Sequence, residues 1–132
     1  MPLDGPAQPR PKSAQLARGK PRYRRIVASA KQWQKIVAEK QGPCRACVAA
    51  RTNGHDLGRI TFHHVVSRED FGDDVADNIV PLHEVCHANV TQRRGKACAN
   101  LLTSLSDAEY AYMVERGGEG YAERAYGLRY SR

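Results

Sequence analysis

The sequence predicts a small α+β domain in which two short strands are set among short helices, preceded by a flexible basic arm. Three observations predict it. Two chelating steps, Cys44-x-x-Cys47 and His83-x-x-Cys86, bracket the middle of the chain. Between and beside them lie the strand-like runs "RITFHHVV" and "IVPL", rich in β-branched and aromatic residues, while helical spacing recurs on both flanks. The first 25 residues combine five prolines with a dense positive charge.

At 132 residues, 41% of them hydrophobic, the chain has room for one core. Nothing approaches the roughly 18 uninterrupted apolar residues of a membrane span, and the N-terminus lacks the apolar segment of a secretory signal. A cytoplasmic protein with no membrane partner is expected. The net charge is +7, and residues 1–25 hold Arg10, Lys12, Arg18, Lys20, Arg22, Arg24 and Arg25 against Asp4 alone, six of those seven charges. With Pro2, Pro6, Pro9, Pro11 and Pro21 and few large apolar groups, this stretch cannot offset the entropy of ordering. It reads as an arm suited to a polyanion. The folded domain is then 26–132, with a core at 44–96 and C-terminal helices within 106–127.

In order, "SAKQWQKIVAEKQGP" offers Ser29 as N-cap, one-face spacing of Trp33, Ile36 and Val37, and a stop at Gly42-Pro43. A knuckle-like turn follows at Cys44–Cys47, then the turn-rich loop "RTNGHD" and the first strand. "SREDFGDDVADN" has neither periodicity and reads as a loop, in which Asp73, Asp74 and Asp77 are expected to be solvated. "IVPL" makes the second strand, at an edge or near its end because of Pro81. "HEVCHANVTQRR" reads as one helix whose basic end holds Arg93, Arg94 and Lys96. Ser106-x-x-Glu109 is a capping box opening a helix with Tyr110, Met113 and Val114 on one face, ended by Gly117; "GYAERAYG" makes a last short helix. The tyrosines Tyr110, Tyr112, Tyr121, Tyr126 and Tyr130 are read as packing rather than base-stacking groups.

Cys44, Cys47, His83 and Cys86 have the donor types and spacing of a closed tetrahedral zinc site, which would leave no position for substrate and hold structure; buried free cysteines with no metal are the alternative. Cys98 is the rival fourth ligand, but it lies beyond Gly95, whereas His83 repeats the reach of the first pair. A second cluster interleaves with the first: His63-His64, Asn78 and His87. His87 follows Cys86 directly, so on a helix it is turned about 100° away and faces another centre.

Threaded through the two chelating steps in this order, His63-His64, Asn78 and His87 resemble the HNH nucleases over residues 44–87, with His83 where zinc-bearing members usually have cysteine. The resemblance implies the ββα-metal fold. It also implies that His63 and His87 bind a catalytic divalent cation, that His64 is the general base, and that Asn78 holds the loop near His64. Imidazole ligands favour Mn²⁺, Ni²⁺, Co²⁺ or Zn²⁺ over Mg²⁺, although Mg²⁺ serves relatives with Asp at the position of His63. Arg68, in a position often basic in the family, is a candidate phosphate contact, as are Arg22, Arg24, Arg25, Arg93, Arg94 and Lys96.

The implied activity is metal-dependent endonucleolytic hydrolysis of DNA, nicking or cutting both strands, with RNA using the same site as an open alternative. A non-catalytic zinc-knuckle binding module is the rival of another class. By resemblance, many small members of this layout belong to bacteriophages or mobile elements; a phage origin would imply a bacterial host cytoplasm, with a homodimer or a phage packaging partner as candidate partners. One geometric expectation remains. Neighbours on a flat strand face apart, so for His63 and His64 to serve one phosphate the strand must end, twist or bulge there.

Overall fold

The computed structural model describes residues 24–132, and the expectations for residues 1–23, Arg22 included, lie outside them. β1 (Ile60–His64) and β2 (Ile79–His83) form an antiparallel ribbon in unbroken register, Ile60 opposite His83 and His64 opposite Ile79. The ladder continues by one bond past each end, from Val65 N–H to the Asn78 carbonyl (2.9 Å) and from Glu84 N–H to the Arg59 carbonyl (2.8 Å). Hydrogen-bonded pairs therefore fall on the odd residues of β1. Phe62 opposite Pro81 is a non-hydrogen-bonded pair, so the missing proline donor breaks nothing. There is no bulge at His63-His64: the strand ends there.

α1 (Ala30–Lys40) starts at Ser29 with a full capping box, Gln32 reciprocating. The expected knuckle is already helical, since Cys44 caps α2 (Arg45–Ala50). β2 runs straight into α3 (Glu84–Thr91), with His83 as both last strand residue and N-cap. That helix is shorter than the sequence reading. Arg93 and Gly95 take left-handed conformations (φ 56° and 53°), and a separate helix, α4 (Ala97–Ser104), follows. α5 (Asp107–Gly117) begins on the expected Ser106–Glu109 capping box, and α6 (Tyr121–Tyr126) follows. The segment 67–78 is irregular apart from single 3₁₀ turns at Arg68–Asp70 and Ala76–Asn78. With its ribbon, its helices and a Cys₃His cluster, the chain is an α+β domain consistent with the ββα-metal fold. Among the described residues no helix is long and apolar enough to cross a membrane.

The core forms where one face of the ribbon (Val80, Leu82) meets α4 (Leu101, Leu102) and Met113 of α5. Glu109 is buried there at 1% exposure and is not only a cap residue. Its carboxylate takes two bonds from Arg45 (2.6 and 2.8 Å), one from Lys40 and one from the Ser106 N–H (2.7 Å), joining α1, α2 and α5. Burial alone would raise its pKa, but Arg45, Lys40 and Ser106 outweigh it and hold it at about 2. A depressed carboxylate stabilises the fold above its ordinary pKa and loses that contribution as pH falls toward the folded value. The shift from 4.5 to about 2 corresponds to roughly 3 kcal/mol. Glu109→Gln is expected to lower the melting temperature by about 10 °C or more near neutral pH. The gap to wild type should close as pH falls from 4.5 toward 2, as read by melting curves across pH.

Candidate active site

Cys44, Cys47, His83 and Cys86 offer four donor atoms within 4.8 Å of one another. Ligands at about 2.3 Å (S) and 2.0–2.1 Å (N) from one tetrahedral ion stand about 3.8 Å apart for S–S and about 3.6 Å for S–N. Cys47 Sγ is 3.8 Å from Cys86 Sγ and 3.3 Å from His83 Nδ1. Burial raises the Cys47 and Cys86 thiols, and ionisation at Cys44 raises both further, while hydrogen bonds from the backbone at His83 and Cys47 bring Cys44 down. Three crowded thiols become thiolates together only with a cation among them. The cluster could thus hold a structural zinc. Cys98 lies elsewhere, its thiol donating to the Val90 carbonyl. Gly54 closes a loop over the cluster at φ 65°, where a Cβ would stand 2.5 Å from His83 Cε1 and 2.7 Å from Cys47 Sγ.

At the opposite end of the ribbon Asn78 is fully buried. Its Oδ1 accepts from Val66 N–H (2.7 Å), and its Nδ2 donates to the Val66 and Asp73 carbonyls (3.0 Å each). The loop from β1 is thereby folded back against the start of β2. Gly72 makes that fold-back close, since a Cβ there would be 1.7 Å from the Val66 carbonyl oxygen.

His63 and His87 meet edge to face, ring centres 5.0 Å apart. Two imidazoles sharing one ion at about 2.1 Å place their ring centres about 5 Å apart. Their other nitrogens are occupied. The Tyr126 hydroxyl gives its one proton to the Val65 carbonyl, so at 2.8 Å it accepts from His63 Nε2–H. Thr61 Oγ1 gives its proton to the Leu82 carbonyl, so at 2.9 Å it accepts from His87 Nδ1–H. Each ring is left with one free lone pair, Nδ1 on His63 and Nε2 on His87, as metal-binding histidines require. Burial holds His63 down to about 3, with the charges of His87 and His64 adding, and burial lowers His87 as well. Both rings are thereby favoured in the neutral form, the form that could hold a metal ion.

His64 turns away from that pair, as alternation on a strand dictates. Its ring stacks on Trp33 of α1, centres 5.8 Å apart and 6° from parallel. Its Nε2 is 2.8 Å from Asp74 Oδ1. Burial lowers its pKa, partly opposed by Asp74, and its charge is still felt at His63 and His87. The sequence reading of a solvated acidic loop is wrong for two of three residues. Asp73 and Asp74 are 2% and 6% exposed, held by residues 25–28 and by Tyr112, while Asp77 is exposed. The tyrosines are likewise more than packing. Tyr112 accepts from Asp73 N–H and donates to its carboxylate, and Tyr121 accepts from Ser67 N–H and donates to Asp70.

Among the basic candidates, Arg68 is 60% exposed with Nε 3.7 Å from Asp74, beside His64. Arg25 is bonded inward, to the Gly72 carbonyl (2.8 Å) and Asp74 (2.6 Å). Arg24, Arg94 and Lys96 are exposed, and Arg93 caps α6 through the Arg124 and Ala125 carbonyls.

Gly54→Ala, which pushes a methyl into the ligand cluster, should speed zinc transfer to a chromophoric chelator and weaken binding about tenfold or more. Asn78→Ala strands three buried backbone groups at about 1–3 kcal/mol each, so urea unfolding of the zinc-loaded protein should show a loss of several kcal/mol.

No curated protein and no solved structure matches the chain. The family model of the HNH endonucleases matches residues 44–93, the stretch that contains both the Cys₃His cluster and His63, His64, Asn78 and His87. The chain carries an HNH endonuclease domain in residues 44–93.

Proposed function

We propose that the protein is a metal-dependent endonuclease that hydrolyses DNA phosphodiester bonds, with His64 as general base and His63 and His87 holding a divalent cation. The observation that carries this reading is the state of the three rings. Each has one nitrogen bonded to a fixed partner and, among the described residues, the other without one, His63 and His64 at the end of β1 and His87 on α3. Neutral imidazole is matched to taking a proton from water near pH 7. His64 Nδ1 accepts that proton, the water oxygen bonds to phosphorus, and the P–O3′ bond breaks, the departing 3′ oxygen taking a proton from solvent water. The products are a 5′-phosphate and a 3′-hydroxyl. A divalent cation on His63 Nδ1 and His87 Nε2 would supply charge stabilisation at the phosphate and the leaving oxygen. Asn78 keeps the loop of residues 65–74 folded beside His64, and Arg68 offers an exposed cation next to the base for a phosphate oxygen.

The deciding experiment is a supercoiled-plasmid assay with Mg²⁺, Mn²⁺, Ni²⁺, Co²⁺ and Zn²⁺ in turn, with RNA run alongside. Nicked or linear product is expected with at least one ion. His64→Ala should reduce the rate about 10²–10⁴-fold while zinc content and DNA binding persist. His63→Ala and His87→Ala should lose calorimetric binding of the catalytic ion. A wild-type protein that binds DNA but cuts nothing with any ion would establish the non-catalytic binding module instead.

A further inference from the structure

We infer that Asp74 is the positioning residue for His64: its carboxylate accepts a hydrogen bond from Nε2–H, fixes the ring as the Nε2–H tautomer and so leaves Nδ1 as the proton acceptor. This rests on His64 being the general base and adds to that reading the residue through which the base is aimed. Asp74 lies outside the histidine and asparagine constellation of the sequence, ten positions past His64 in a loop that looks solvent-exposed.

The carboxylate is fixed before the histidine is considered. Arg25 donates to Oδ1 at 2.6 Å and the Ala28 N–H to Oδ2 at 3.0 Å, while Asp74 N–H is bonded to the Ile26 carbonyl at 2.8 Å. Next to it, Asp73 Oδ1 accepts from Ile26 N–H. Residues 25–28, at the root of the basic arm, thus clamp both aspartates and keep the Asp74 carboxylate from rotating.

Asp74 has partners on both oxygens without His64, but among the described residues His64 has no other hydrogen-bond partner that distinguishes its two ring nitrogens. A neutral imidazole has its proton on one nitrogen or the other, and only one choice leaves a usable lone pair toward the reaction. The Trp33 ring flanking His64 limits the space for the ring to turn. An anionic acceptor at 2.8 Å selects Nε2–H. In serine-protease triads the same device works by tautomer and orientation, and exchanging the carboxylate for an amide costs about 10⁴ in kcat.

The test is nitrogen-15 NMR of histidine-labelled, zinc-loaded full-length protein, with His64 assigned by comparison with His64→Gln, alongside steady-state cleavage. Wild type should show His64 protonated at Nε2 alone. In Asp74→Ala the two His64 nitrogen shifts should converge toward a tautomer mixture, and kcat should fall about 10²-fold or more with KM for DNA within about threefold. A general loss of structure would move KM, zinc content and the other histidine signals together. If Asp74→Ala fails to retain zinc, Asp74→Asn keeps the volume. An amide has one acceptor where Arg25 and His64 need one on one side and Ala28 on the other, so the Nε2–H preference should weaken there too. The inference is overturned if wild-type His64 is protonated at Nδ1, or if the folded variant keeps both the wild-type tautomer and the wild-type kcat. If the wild-type protein is inert on DNA with every ion, the nuclease reading fails separately and the tautomer measurement alone decides the role of Asp74.

Discussion

A ribbon of two five-residue strands does not hold its shape in water by itself, and the candidate site depends on what is fastened to its ends. At one end, where Ile60 faces His83, the Cys₃His cluster joins the strand to α2 and α3. At the other, where His64 faces Ile79, Asn78 binds the departing chain through three buried side-chain hydrogen bonds. The two staples work by different physics. One gathers thiols that would resist sharing a small space, and the other satisfies backbone groups that would otherwise be buried bare. Between them, β1 is held straight enough for alternation to separate His63 from His64.

The C-terminal helices finish that arrangement from outside the matched segment. Tyr112, Tyr121 and Tyr126 each extend a phenol to residues 63–73, and each uses it as donor and acceptor at once. A tyrosine is well suited to this, since its ring fills core volume while its tip reaches a polar edge. Glu109 gathers the helices themselves, and at its burial it tolerates the absence of water only because two cations surround it. The structure that supports the candidate site is therefore larger than the matched segment. Tyr126 sets the proton on His63 from over thirty residues beyond the end of the match.

What was legible in the sequence was whatever depends on neighbours in the chain. The chelating steps, the N-cap at Ser29, the capping box at Ser106, and the two strands with Pro81 tolerated at an edge are all local, and the family order of His63, His64, Asn78 and His87 survives as a linear pattern. α4 was legible too, in Cys98, Leu101, Leu102 and Leu105 at one-face helical spacing, although the basic run before it has the composition of a helix end. Asp73 and Asp74 were not legible. Two adjacent aspartates beside a glycine are solvated in most contexts, and here residues 25–28, nearly fifty positions earlier, and Tyr112, from the C-terminal helices, enclose them. Phenols that pair across comparable distances leave no local trace either.

Pro81, which looks like a flaw in a strand, acts as a check on alignment. Its nitrogen falls at a non-hydrogen-bonded position only in the register observed. Were β2 to slip by one residue, the proline would occupy a place where the ladder calls for a donor, and every side chain of the strand would change faces. The slipped ribbon would lose a bond at its centre and present His83, Val80 and Leu82 to the wrong sides. A residue with no chemistry of its own thereby discriminates against the one misalignment that would scramble both staples together.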